Sequence, residues 1–194
     1  MWSGRPPRTL TVARVQAVEI ALDWRWAPVL ALSTWLLAQN VLPARFPTWE
    51  PGITWTTAAA AVLAGELTLL LHELSHVVVG QSRGGARITF HGFVAQTVMD
   101  VRAHEVLTAL AGPTTNLMLA GLTQLLRIAL STQGPLDTVL LMVALGNAAA
   151  ALLSLVPLGA SDGARALGAA RRHCRLEREV ARQRQDEDDD DDQR

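Results

Sequence analysis

The sequence predicts an all-α polytopic membrane protein of about four transmembrane helices with a small membrane-surface β-hairpin, and three observations carry that prediction. Of the 194 residues 49% are hydrophobic, and charge gathers toward the two ends, leaving a strongly apolar middle. That middle divides into four apolar stretches, at about residues 26–42, 56–79, 106–130 and 138–158. The second stretch contains His72-Glu73-Leu74-Ser75-His76, and ionisable groups inside a spanning segment are costly enough to mark function.

Residues 1–25 carry Arg5, Arg8, Arg14 and Arg25 and are expected to form a cytoplasmic N-terminal segment. They show no short apolar region followed by a cleavage site, so no removable signal peptide is expected. A helix needs about 20 apolar residues to cross the hydrocarbon core. The last three stretches approach or exceed that length; the first is short and includes Pro28, Gln39 and Asn40. Trp24, Trp26, Trp49 and Trp55 flank the first two spans, as interfacial anchors do.

Arginine placement predicts the orientation. The loop after the first span carries only Arg45, whereas Arg83, Arg87 and Arg102 follow the second. Arg127 ends the third, and Arg165, Arg171, Arg172 and Arg175 follow the fourth. This alternation predicts a multi-pass protein of the cell membrane with both termini cytoplasmic, and it puts His72 and His76 in the cytoplasmic part of span two.

Between spans two and three, Gly84-Gly85 opens an alternating, β-branched stretch. Residues 87–90 and 93–98 read as short strands around His91-Gly92. Residues 26–172 form the expected membrane-embedded core. Residues 173–194 end in Glu187 and the run from Asp188 to Asp192, a block of like charge expected to be cytoplasmic, solvated and disordered. Cys174 is the single cysteine, so an internal disulfide and a Cys-based metal site are both excluded. No basic patch interleaved with aromatics suggests nucleic acid as a partner.

On a helix, His72 and His76 are one turn apart and face the same side, as two ligands of one zinc ion must. Glu73 is placed to take a proton from a water activated there. Catalytic zinc usually takes three protein ligands. The best third is Asp162, because spans two and four both run toward the inside and bring it to a depth near His76. Asp162-Gly163 also reads as a simple turn, and His91 and His104 are competing ligands.

Gly112-Pro113 is expected to break or kink span three. Asn116, one turn later, is then free to contact substrate or a developing oxyanion, with helix–helix adhesion as its alternative role. Asn147 is read as such an adhesive. Glu66 faces nearly the same way as Glu73 but about 10 Å deeper. It either lines a water pocket or bonds a neighbouring helix as a protonated carboxyl.

The order of these motifs resembles the site-2 protease family of intramembrane zinc metalloproteases, which show His-Glu-x-x-His, then Gly-Pro-x-x-Asn, then Asn-x-x-Pro before Asp-Gly. Here they stand as residues 72–76, as Gly112-Pro113-Thr114-Thr115-Asn116, and as Ser154-Leu155-Val156-Pro157 before Asp162-Gly163. The resemblance covers about residues 24–172. It implies zinc (Zn2+) held by His72, His76 and Asp162, Glu73 as general base, and a membrane-protein substrate cut within the lipid bilayer. Strand addition to the hairpin is the expected way of holding an unwound substrate. Ser154 replaces the family's Asn, and Gly159-Ala160-Ser161 replaces a more apolar run. A catalytically inactive relative that binds membrane proteins, and a hydrolase of lipids or small amphiphiles, are the alternative readings.

Overall fold

The computed structural model describes residues 9–80, 85–99, 104–131 and 133–192, with side chains described to residue 184. Arg5, Arg8, Arg83, Gly84 and Arg102, used above, lie outside the described residues.

Among the described residues, four helices are long and apolar enough to cross a membrane. The first, Trp26–Arg45, comprises α1 (Trp26–Leu36), a π-helical turn (Leu37–Val41) and α2 (Leu42–Arg45). The others are α3 (Pro51–Gly80), α4 (Glu105–Ala129) and α5 (Gly134–Leu155). Along α3 the buried residues Thr54, Thr57, Ala58, Ala61 and Val62 recur at helical spacing and continue to His72, Glu73 and His76. Leu63, Leu67 and Leu71 face outward on the opposite side. This stripe turns the polar motif into the bundle and the leucines toward lipid.

Ala38, Leu42 and Ala58 form a small buried cluster with Phe46, Trp49 and Met142 packed against it. Trp49 stacks on Phe46 with ring centroids 4.1 Å apart, so it packs inside the fold rather than standing as a free anchor. Trp24 remains 66% exposed.

The N-terminal segment holds two strands that the sequence reading missed, β1 (Thr9–Val15) and β2 (Val18–Asp23). They form an antiparallel pair joined through Gln16-Ala17, and Gln16 takes a left-handed φ of 52°. A hairpin turn usually announces itself with Gly or Asn at such a position, and that signal is absent here. The expected hairpin is present as β3 (Ala86–Phe90) and β4 (Ala95–Met99), paired antiparallel. β2 runs parallel to β3 from Val18↔Ala86 to Leu22↔Phe90, giving one sheet of order β1-β2-β3-β4.

The β3–β4 turn packs on the first span. A Cβ on Gly92, whose φ is +99°, would lie 2.8 Å from Val29 Cγ1. Asp23, at the end of β2, accepts hydrogen bonds from the Arg25 backbone N–H at 2.9 Å and from its Nε at 2.8 Å. These bonds to the Arg25 guanidinium and backbone hold the Asp23 carboxyl at about 2.

The C-terminal segment differs from expectation. Helix α6 runs from Asp162 to Asp192, and its residues from Arg171 to Arg184 are exposed. That stretch is rich in Arg, with Glu177 and Glu179, and free of Gly and Pro, which favours helix over an unstructured chain. His173 and Glu177 pair across one turn at 3.2 Å.

Candidate metal centre

His72 and His76 sit side by side on α3, and Asp162 meets them from the first turn of α6. His72 Nε2 lies 3.3 Å from Asp162 Oδ2, and His76 Nε2 lies 3.4 Å from Oδ1. The two Nε2 atoms are 3.3 Å apart. All three residues are buried, at 6%, 3% and 8% exposure. Two imidazoles and a carboxylate brought this close can hold one metal ion.

The surroundings fit that use. His76 Nδ1 donates to the Thr108 carbonyl at 2.6 Å. This bond fixes the tautomer, leaving Nε2 with a lone pair toward Asp162 and His72, as the outer partner of a metal-binding histidine does. Ser161 caps α6 by accepting from the Ala164 N–H at 3.2 Å, which fixes Asp162 at the start of the helix. The Ser161 that departs from the family pattern thus supplies a cap. Gly112 abuts the cluster: a Cβ there would stand 2.4 Å from both His72 Nε2 and His76 Nε2. The space between the nitrogens exists because residue 112 has no side chain. The donor set of two imidazoles and one carboxylate is that of catalytic zinc sites.

Glu73, 7% exposed, accepts a hydrogen bond from Thr97 Oγ1 at 2.6 Å. Nothing in the sequence pointed to Thr97, because its contact comes from β4 across the fold. Asn116 is 2% exposed, and its Oδ1 has no partner among the described residues. It lines a mainly apolar cavity of about 410 Å³ between α3 and α5, with Phe93 of the β3–β4 turn also on the wall. A second cavity of about 330 Å³ reaches His76 and Thr97 past the exposed charges Glu105, Arg165 and Arg172.

Other sequence candidates fall elsewhere. His91 sits beside Asp23 and Arg25 at the sheet, and His104 is exposed at the start of α4. Pro113 does not break span three; α4 continues through it. Asn147 donates to the Val143 carbonyl of its own helix at 2.8 Å rather than to another helix in that bond. Glu66 bonds a neighbouring helix: Trp26 Nε1 donates to its Oε2 at 2.9 Å. Ser154 turns its hydroxyl onto the Ala151 carbonyl at 3.0 Å.

The architecture is similar to that of the Site-2 Protease from Methanocaldococcus jannaschii, with a TM-score of 0.53 and 16% sequence identity over 84% of this chain and 71% of that one. The fold is site-2 protease-like. No protein-family model matches the chain, and no curated protein matches it by sequence.

Proposed function

We propose that this protein is an intramembrane zinc metalloendopeptidase, hydrolysing a peptide bond in or near the transmembrane segment of another membrane protein. The observation that carries the reading is the meeting of His72, His76 and Asp162 beside Glu73, inside a core of apolar helices. His72, His76 and Asp162 would hold the zinc. When bound, zinc polarises a scissile carbonyl and lowers the pKa of a water at the site.

Glu73 takes the proton of the attacking water and delivers it to the leaving amine. Asn116 meets substrate or the developing oxyanion, where deletion of such a donor costs about 3 kcal/mol in other enzymes. The two cavities suit the two reactants. The apolar one beside Asn116 suits a membrane segment, and the one lined by Glu105, Arg165 and Arg172 suits water. A substrate helix hides its carbonyls in its own hydrogen bonds, so it must unwind before cleavage. β4 is at the end of the sheet among the described residues, which suits pairing with an unwound strand.

The orientation that goes with this reading places both termini in the cytoplasm. Ser154, bonded to its own helix, bears on substrate handling rather than on the metal cluster.

Metal analysis tests the site. Purified protein should carry about one zinc per chain, and His72→Ala, His76→Ala and Asp162→Ala should each lose most of it. Full zinc in Asp162→Ala would remove the third ligand from this account.

A further inference from the structure

Thr97 has no part in the reaction described so far, yet it touches the group that moves the proton. It lies at the centre of β4, opposite Ile88 in the register. Its side chain turns inward, 7% exposed, while Gln96 and Val98 on either side are exposed. The 2.6 Å separation between its hydroxyl and Glu73 Oε2 is that of a close O–H···O hydrogen bond.

The terminal torsion of a glutamate is broad and weakly restrained on its own. A general base must instead stand within hydrogen-bond reach of the proton it takes. A hydroxyl has one proton to give. Spent on Oε2, it pins that oxygen and leaves Oε1 outside the bond. Among the described residues, Thr97 is the hydrogen-bond partner of the Glu73 carboxylate.

The partner also belongs to a particular strand. Among the described residues β4 ends the sheet, with β3 on one side and no strand on the other. The strand proposed to pair with an unwound segment therefore also carries the hydroxyl bonded to Glu73.

We propose that Thr97 is the positioning residue for Glu73, and that β4 links the seating of an unwound substrate segment to the alignment of the general base. The inference rests on the proteolytic reading above. It assigns Thr97 no contact with the reacting atoms.

The test uses the full chain in detergent, loaded with zinc, and a synthetic single-span peptide with a helix-breaking Asn-Pro pair at mid-span. Thr97→Val keeps the branched shape and removes the donor. A misplaced catalytic group costs on the order of 100-fold per ångström. Thr97→Val should therefore lower kcat by about 10- to 100-fold, with KM within about twofold and zinc content unchanged. Thr97→Ser, which restores the hydroxyl, should recover most of kcat.

In a Glu73→Asp background the shortened carboxylate no longer reaches the hydroxyl, so adding Thr97→Val should cost less than about twofold more. A merely structural role for Thr97 would add its loss in either background and would not be rescued by Ser. Wild-type kcat in Thr97→Val, or a loss that Ser does not recover, overturns the proposal while leaving the proteolytic reading standing. A zinc-loaded wild type that cuts no peptide overturns both.

Discussion

At Gly112 the missing side chain makes room for the two histidine nitrogens. An added methyl would stand 2.4 Å from each Nε2, and Pro113 beside it is fully buried, so α4 has little freedom to move away. Gly112→Ala should weaken zinc binding at least tenfold, about 1.4 kcal/mol, read as zinc retained against a chelating buffer. Gly121→Ala, on the same helix with nothing within 4 Å of its added methyl, should change nothing and serves as the control. Equal retention by both variants would show that the contact relaxes without cost. The paired histidines were legible in the sequence because their geometry is local: four residues on a helix put two side chains on one face. Asp162 was legible through the depth at which two separate spans end and through the Asp-Gly element of the resemblance. Gly112 and Thr97 were not legible in these roles. The first read as a helix breaker and the second as one residue of an alternating strand, and both act through contacts made only when distant elements pack.

The elements differ in how openly the sequence declared them. Helices α3, α4 and α5 matched their apolar stretches because length and hydropathy suffice to define a span. β1 and β2 escaped notice because the Gln16-Ala17 turn carries no hairpin signature, and because β2 pairs with β3 across the whole of the first two spans. The consequence for function is that β3 is internal to the sheet and β4 is its end. Ile88, on β3, is 0% exposed, so a substitution there would disturb the sheet itself rather than a substrate-pairing edge. Helix α6 is a different case. Its exposed stretch is mostly charged and polar, with Leu176 and Val180 also exposed, and Arg172 near its start pairs with Glu105 of α4. The Asp188 to Asp192 run stands at its C-terminal end, where the helix dipole disfavours negative charge. Removing residues 186–194 should therefore leave zinc content, and cleavage in detergent, within about twofold of the full chain. Loss of zinc on truncation, measured on the purified variant, would show that the tail supports the metal centre after all.

For the whole molecule, the outward leucines of α3 and the exposed Leu122, Leu125 and Ile128 of α4 would be a liability in water and are ordinary against lipid. The buried stripe of α3 gathers polar groups that lipid would reject, His72, Glu73 and His76 among them. The arginines divide accordingly. Arg14, Arg25 and Arg87 lie on or beside the sheet and Arg165, Arg171 and Arg172 on α6, both of which pack near the cluster, while Arg127 pairs with Asp137 at the other end of α4. Four spans would put both termini on one side, and the proposed orientation, read from the arginines, makes that side the cytoplasm. A reporter fused after Arg194 should be cytoplasmic, and an extracytoplasmic signal would overturn the orientation. The central claim is that a zinc site in this fold performs hydrolysis with Glu73 as base. Its most direct test compares wild type with Glu73→Gln on a synthetic single-span peptide, measuring bound zinc and cleavage in the same preparations. The account predicts about one zinc in each and at least a 100-fold loss of turnover in the variant, the scale expected for removing a general base. Cleavage by Glu73→Gln at the wild-type rate would contradict it.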